Sequence, residues 1–301
     1  MSAVSIEFKG SNYQDIKDIP IPHSSHWCNA QSRNRFGEAP LVRTRLKGTD
    51  FIVYENMLFP TRESFEYGNL LGHIIKATIA HRNRPLPFVV VDVGTGAGTD
   101  AIGIAKPLQD EQRQGLVVVV TTELDGAALA IADINVQLNN LAGIKFRKRS
   151  ILEGIRQEFG SVDLITSNPP WYPSQEAQRK CSSYQPLLAI DGGDDGLEFY
   201  RALFERAKDV LSDDGVVAVR TQDQAWIRVY RECRKALHRS QTVAIKHSAF
   251  LSGIAGRERT TGLLHGNLGL FDIKNGYRAY IDSKDIPSST TISRKLLLEK
   301  L

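Results

Sequence analysis

The chain has 301 residues, 42% of them hydrophobic and 24% charged, which is enough for one large domain or a domain with an appendage. Its net charge of +4 is too small to indicate nucleic-acid binding by itself, and no apolar run approaches the roughly 18–20 residues that cross a bilayer. An N-terminus without a signal-like layout and three scattered cysteines predict a cytoplasmic protein with no disulfide framework and no metal site.

The first part of the chain precedes any alternating pattern of strands and helices. Residues 1–40 are rich in Ser, Asn, His and Pro, which predicts an irregular arm. The following stretch, "LVRTRLKGTDFIVYENML", alternates like a hairpin with Gly48-Thr49-Asp50 as its turn. Apolar residues at helical spacing then run from Phe65 to Ile79. We predict that residues 41–84 form a hairpin and a helix that act as a lid.

From residue 85 onward, short apolar runs alternate with helical segments. The runs "FVVVDVG", "GLVVVVTTE", "VDLITSN" and "GVVAVRT" predict buried strands, and "IKFRKRSI" predicts a weaker one. Such runs separated by helices predict an α/β fold, a Rossmann-like and mostly parallel sheet with helices on both faces, over residues 85–271. That range includes a helix near 224–238 and strands near 242–250 and 261–271, and a polar tail with a short terminal helix occupies 272–301.

A glycine loop, "VDVGTGAGTD", follows the first of these strands. It places Asp92, Gly94, Gly96 and Gly98 at the strand's carboxyl end, where open α/β sheets bind ligands. Dinucleotide sites favour G-x-G-x-x-G, whereas this loop reads G-x-G-x-G. The shorter spacing suits a nucleoside with an amino-acid tail, S-adenosylmethionine, better than a pyrophosphate. Glu123, at the tip of the second strand, can accept hydrogen bonds from both ribose hydroxyls.

The stretch "ITSNPPWYPS" ends the fourth strand of the predicted sheet, where a methyl acceptor would be held. Prolines fix φ and donate no backbone hydrogen bond, so the Asn168 side-chain oxygen and the Pro169 carbonyl can be held rigidly together. Two fixed acceptors can grip a planar NH2 group and aim its weak lone pair at an electrophilic methyl. Trp171 offers a flat face for stacking. We predict Asn168, Pro169, Pro170 and Trp171 as catalytic residues.

Several stretches resemble the release-factor glutamine methyltransferases, a HemK-like family of class I enzymes that methylate planar nitrogens. "SNPPW", "DVGTGAG" and "TELDGAALAIADIN" are similar to its acceptor and cofactor motifs. "NMLFPTRESFEYGNLL" resembles its Pro-x-x-Glu-Thr segment, and "PLLAIDGGDDGLEFYRALFERAKDVLSDDG" and "SGIAGRERT" are similar to later segments. The resemblance implies a class I methyltransferase fold, S-adenosylmethionine as cofactor and S-adenosylhomocysteine as product.

The motifs and the resemblance together give a set of candidate site residues. The predicted cofactor-binding residues are Pro60, Glu63, Ser64, Asp92, Gly94, Thr95, Gly96, Gly98, Glu123, Leu124, Ser150 and Asn168. Trp171, Tyr172 and Tyr184 are the predicted substrate-binding residues. Two positions depart from the family: Trp171 stands where Tyr is usual, and Ser150 where an acid near the adenine amine is common.

The sequence leaves several methyl acceptors open. The resemblance favours a protein glutamine side chain. A small metabolite bearing an amide, guanidine or amine is the alternative, because about 40 irregular residues replace the helical bundle with which the release-factor enzymes begin. Adenine N6 in RNA would suit the same chemistry, although the weak net charge counts against it. A catalytically silent cofactor-binding partner protein is the alternative from another class.

Overall fold

The computed structural model describes residues 41–54, 57–80, 87–182, 185–220, 226–236, 243–245 and 268–270. The predicted arm, polar tail and terminal helix lie outside the described residues. Among the helices that are described, none is both long and apolar enough to cross a membrane. The cytoplasmic location stays a prediction.

The described elements follow the predicted order along the chain. The strands are β1 (Leu41–Leu46), β2 (Thr49–Tyr54), β3 (Phe88–Val93), β4 (Val117–Glu123), β5 (Ile144–Lys148), β6 (Val162–Ser167), β7 (Leu211–Val219), β8 (Val243–Ile245) and β9 (Leu268–Leu270). The helices are α1 (Arg62–Ala80), α2 (Thr99–Ala105), α3 (Gln109–Arg113), α4 (Gly126–Leu138), α5 (Ile155–Phe159), α6 (Ser174–Lys180), α7 (Leu187–Ile190), α8 (Glu198–Val210) and α9 (Trp226–Ala236), with a 3-10 turn at Lys106–Leu108.

The main sheet has seven strands in the order β5-β4-β3-β6-β7-β9-β8. The five strands from β5 to β7 are parallel, and β9 runs antiparallel to both of its neighbours. From β3 the chain builds the sheet outward to β5 on one side and then, starting at β6, outward on the other side. Ligands bind at such a reversal, so the crevice beyond the carboxyl ends of β3 and β6 is the expected site. The predicted Rossmann-like fold is confirmed.

The strands sit in the core because their side chains are apolar on both faces. Every residue of β3 and of β6 is buried, and β4 is nearly as covered. Apolar side chains from α1, α2 and α8 pack against these strands in one continuous cluster. Parallel strands covered on both faces read as continuous apolar runs, which is why the sequence predicted them well.

The hairpin of β1 and β2 turns one residue earlier than the sequence predicted. Its two loop residues are Lys47 and Gly48, with φ of 49° and 75°. Two left-handed residues in succession match the twist of a hairpin, so Thr49 and Asp50 are free to begin β2.

Two asparagines, one on α4 and one at its C-terminal cap, fasten the hairpin to the main domain. The Asn135 side chain accepts from the amide of Ile52 (2.6 Å) and donates to the carbonyls of Ile52 and Ala97 (both 2.9 Å). Asn139 likewise accepts from the amide of Asp50 (2.9 Å) and donates to its carbonyl (2.6 Å). The hairpin is therefore bonded to α4 and, through the Asn135 side chain, to Ala97 in the glycine loop. Its action as a lid stays a prediction.

Candidate active site

A cavity of about 460 Å³ lies at the carboxyl edge of the parallel strands, large enough for a nucleoside-sized ligand. Most of the predicted site residues line it, although they come from five separate segments. These residues are Ser64, Asp92, Gly94, Thr95, Gly96, Glu123, Leu124, Ser150, Asn168, Pro169 and Pro170. The reversal of strand order brings the glycine loop after β3 next to the Asn-Pro-Pro stretch after β6.

The remaining predicted residues lie elsewhere. Pro60 is buried and Gly98 is turned toward α4, where a Cβ on it would stand 3.1 Å from the Cβ of Ala132; neither lines the cavity. Tyr184 and the side chain of Glu63 lie outside the described residues. The predicted cofactor and substrate roles of these residues remain untested.

Trp171 is half-buried and packs against the main core instead of lining the cavity. Its ring meets that of Tyr172 edge-on, with centroids 6.3 Å apart, and the guanidinium of Arg220 lies 5.9 Å from its centroid. Tyr172 is half-buried too, with the ammonium of Lys180 4.8 Å from its ring centroid. Stacking of these two aromatic rings on a substrate stays a prediction.

The glycine loop is held open toward the cavity by one acidic side chain. Gly94 and Gly96 have φ of 72° and 52°, and apart from their chain neighbours no described residue has a heavy atom within 4 Å of the place where a Cβ would stand on either. The Glu123 carboxylate accepts from the amide of Gly96 (2.9 Å) and from those of Leu124 (2.8 Å) and Asp125 (3.1 Å). Glu123 is therefore fixed at the cavity wall and fixes the loop in turn.

Two buried aspartates share one end of the cavity. Asp92, 1% exposed, accepts a hydrogen bond from the Thr95 hydroxyl at 2.7 Å. Burial, and then the charge of Asp100, raise the pKa of Asp92 to about 8. Burial likewise raises the pKa of Asp100 to about 7, against the opposing effect of the Arg220 charge. Asp100 was not predicted from the sequence.

Ser64 connects Asn168 to a buried arginine. The Asn168 amide nitrogen lies 3.5 Å from the Ser64 hydroxyl oxygen, and Arg220 donates to the same oxygen at 2.5 Å. A guanidinium can only donate, so Ser64 must accept. With its amide nitrogen toward Ser64, Asn168 leaves its Oδ1 available. Arg220 was not predicted from the sequence. It directly follows β7, and a charged residue straight after a buried strand is a signal that could have identified it as a site residue.

Comparison with known proteins identifies the family. A family model described as a methyltransferase domain matches residues 88–262. The release factor glutamine methyltransferase of Synechocystis is 38% identical over 213 residues, which cover 67% of this chain and 68% of that protein. The chain belongs to the HemK-like methyltransferase family. The resemblance predicted from its motifs is thereby confirmed.

Other relatives of this methyltransferase-family chain bear the same name. The Geobacter sulfurreducens protein is 31% identical over 175 residues, 57% of this chain and 55% of that one. The Bacillus subtilis protein is 28% identical over 225 residues, 73% of this chain and 72% of that one. The chain thus spans little more than half of the Geobacter relative. No cluster of three His, Cys, Asp or Glu side chains that could hold a metal ion occurs within the described residues.

Proposed function

We propose that this chain is an S-adenosylmethionine-dependent N-methyltransferase whose acceptor is the side-chain amide of a protein glutamine. One observation carries the proposal: Asn168, Pro169 and Pro170 line the same cavity as the glycine loop and Glu123. The reacting nitrogen and the methyl donor would therefore meet in one space. The relatives named release factor glutamine methyltransferase support glutamine as the acceptor.

The cavity's donors and acceptors fit S-adenosylmethionine. Glu123 offers carboxylate oxygens for ribose hydroxyls, the open glycine loop admits a close approach of the ligand to the backbone, and Asp92 offers a negative charge. When bound, the cofactor supplies an electrophilic methyl group on a sulfonium. The chain's part in catalysis is to hold the acceptor nitrogen in line with that methyl.

Asn168 and Pro169 would hold the acceptor. Within the described residues nothing donates a hydrogen bond to Asn168 Oδ1, so this oxygen can accept one N–H of a planar amide while the Pro169 carbonyl accepts the other. Proline at both following positions keeps that carbonyl fixed. Holding both N–H bonds reduces the freedom of the nitrogen and favours the geometry of attack without a strong base.

Exposed apolar side chains at the cavity support an acceptor larger than a small polar metabolite. Among the described residues the large exposed ones are leucines: Leu124 (61%), Leu187 (39%) and Leu188 (76%). Leu124 and Leu188 line the cavity, and Leu187 adjoins Leu188. Apolar side chains gathered around a site are typical of surfaces that contact another macromolecule.

The decisive experiment incubates the full chain with tritiated S-adenosylmethionine and a bacterial release factor, followed by mass spectrometry of the modified residue. We expect label on a glutamine amide nitrogen. Free glutamine and a structured RNA are assayed in parallel. Label on either of these but not on the protein would overturn the protein acceptor. Failure of calorimetry to detect binding of S-adenosylhomocysteine would overturn the cofactor.

Replacing Glu123 with Ala should weaken binding of S-adenosylhomocysteine by about ten- to a hundredfold. The variant loses the ribose contact and also releases the Gly96 amide, and hydrogen bonds to a charged group are worth about 1.5–3 kcal/mol each. Calorimetry on both proteins measures the change. Glu153→Ala removes an exposed acid that does not line the cavity and should leave affinity within about twofold. Equal affinity of the Glu123 variant and the wild-type protein would contradict this role.

A further inference from the structure

A loop between α7 and α8, residues 191–196, runs alongside the chain that follows β6. The carbonyl of Tyr172 accepts a hydrogen bond from the amide of Gly192 at 2.8 Å. Two positions further on, the amide of Ser174 donates to the carbonyl of Gly193 at 3.0 Å. The two segments are therefore joined backbone to backbone in two places. We call residues 191–196 the clasp.

Two glycines of the clasp lie against carbonyl groups of the Asn-Pro-Pro-Trp motif. A Cβ on Gly192 would stand 2.9 Å from the carbonyl oxygen of Pro170, and a Cβ on Gly196 would overlap that of Trp171. Both glycines are buried. Because a side chain at either position would meet backbone atoms, only glycine fits there without a shift of the motif. The backbone of the motif therefore rests directly on the backbone of the clasp.

The clasp is itself fixed from two sides. One carboxylate oxygen of Asp191 accepts from the hydroxyl of Ser174 (2.8 Å) and from the amide of Gly193 (2.9 Å). On the other side, the carbonyl of Gly192 accepts from the amide of Glu198 (2.9 Å), the first residue of α8. Apolar side chains of α8 are part of the main core. A displacement of the clasp would therefore break these bonds or disturb α8.

We propose that Gly192 and Gly196 are positioning residues for methyl transfer, because their lack of side chains sets the place of the groups that hold the acceptor nitrogen. The inference rests on the proposed function and deepens it. Proline fixes φ, so Pro169 and Pro170 cannot absorb a push on the Pro170 carbonyl by rotation about φ. The push passes back to the Pro169 carbonyl and to Asn168, the two groups proposed to grip the nitrogen. Misplacing a reacting group by about 1 Å can cost about a hundredfold in rate.

Gly192→Ala should lower the single-turnover rate of methyl transfer to the acceptor protein by about ten- to a hundredfold at saturating acceptor. The φ of Gly192 lies outside the left-handed region, so alanine there meets a lack of space and no backbone strain. Glu123 and the glycine loop belong to other segments, so the affinity for S-adenosylhomocysteine should stay within about threefold. Transfer of a tritiated methyl measures the rate, and calorimetry measures the affinity.

Gly215→Ala, in β7 and outside the cavity, is the matched control. Its added Cβ would also meet backbone atoms, 2.8 Å from the carbonyl oxygen of Val162 and 2.9 Å from that of Ser212. Both variants should therefore lower the melting midpoint, but Gly215→Ala should keep the rate within about twofold. Equal losses of rate in the two variants would overturn the inference, since destabilisation alone would then explain them.

A double variant shows whether Gly192 acts through the grip on the nitrogen. In the Asn168→Ala background, Gly192→Ala should lower the remaining rate by at most about threefold, because part of the grip that it misplaces is already gone. Losses that multiply in the double variant would show that the two residues act independently and would contradict the positioning role.

Ser174→Ala loosens the clasp without adding an atom, and Ser174 does not line the cavity. It should lower the rate by about threefold or more, and it replaces Gly192→Ala as the test where that variant does not fold. A wild-type chain that methylates a protein, together with full activity of the folded clasp variants, would overturn the inference and leave the proposed function intact. A wild-type chain that methylates no protein overturns the proposed function and this inference with it.

Discussion

Replacing Asn168 with Ala should lower the rate of methyl transfer by about a hundred- to a thousandfold while leaving the affinity for S-adenosylhomocysteine within about threefold. The variant removes the side-chain oxygen proposed to hold the acceptor, so one N–H of the planar nitrogen loses its acceptor. The bond between Asn168 and Ser64 is long, at 3.5 Å, so the fold should lose little when it is removed. Single-turnover transfer of a tritiated methyl to the acceptor protein measures the rate, and calorimetry measures the affinity.

Two further variants show whether the effect belongs to the oxygen of Asn168. Asn69→Ala makes the same truncation on α1, outside the cavity, and should keep most of the rate. Asn168→Asp retains an acceptor oxygen, so its rate should lie between those of the wild-type protein and the Ala variant. A fully active Asn168→Ala would refute the proposed grip on the acceptor. A rate that falls only as far as cofactor affinity falls would place Asn168 in cofactor binding alone.

Much of this site could be predicted from the sequence because each of its motifs lies in a short stretch directly after a strand. Gly94 and Gly96 follow one apolar strand, and Asn168 follows another. In a parallel sheet both strands end at the same edge, so the two motifs must lie near each other whatever the remaining packing. The continuous apolar composition of β3 and β6 identified those strands in the same way.

The parts that could not be predicted depend on contacts between distant segments. Ser64 and Arg220 are 156 positions apart, and only the order of the strands together with the docking of α1 brings them within hydrogen-bond distance. Asp100 looks in the sequence like an ordinary acid in the first turn of a helix, where carboxylates are favoured. Its burial, with no hydrogen-bond partner among the described residues, follows from the packing of α1 over α2, which no local pattern encodes. Trp171 is likewise half-buried because it packs against the main core, and its place in the motif does not predict that packing.

The contact between α1 and α2 is closer than ordinary helix packing, because glycines on both helices face backbone atoms. A Cβ on Gly103 would stand 2.6 Å from the carbonyl oxygen of Phe65 and 2.9 Å from the amide nitrogen of Asn69. Backbone atoms within a helix cannot turn aside as a side chain can, so the two helices would have to separate. This contact positions both Ser64 and Asp100 at the cavity.

Gly103→Ala should therefore destabilise the protein by about 2 kcal/mol, since overpacking against backbone costs about 3 kcal/mol and outweighs the gain of about 1 kcal/mol in helix propensity. The melting midpoint should fall by about 4–8 °C. The control is Gly126→Ala in the first turn of α4, where the added Cβ would meet only the movable end of Lys148 at 3.2 Å. The control should be neutral or slightly stabilising. Because a separation of the helices moves Ser64 on α1 away from the glycine loop, from which α2 begins, Gly103→Ala should also weaken S-adenosylhomocysteine binding at temperatures where it is still folded. A midpoint equal to that of Gly126→Ala would show that α1 can shift freely and does not hold these residues in place.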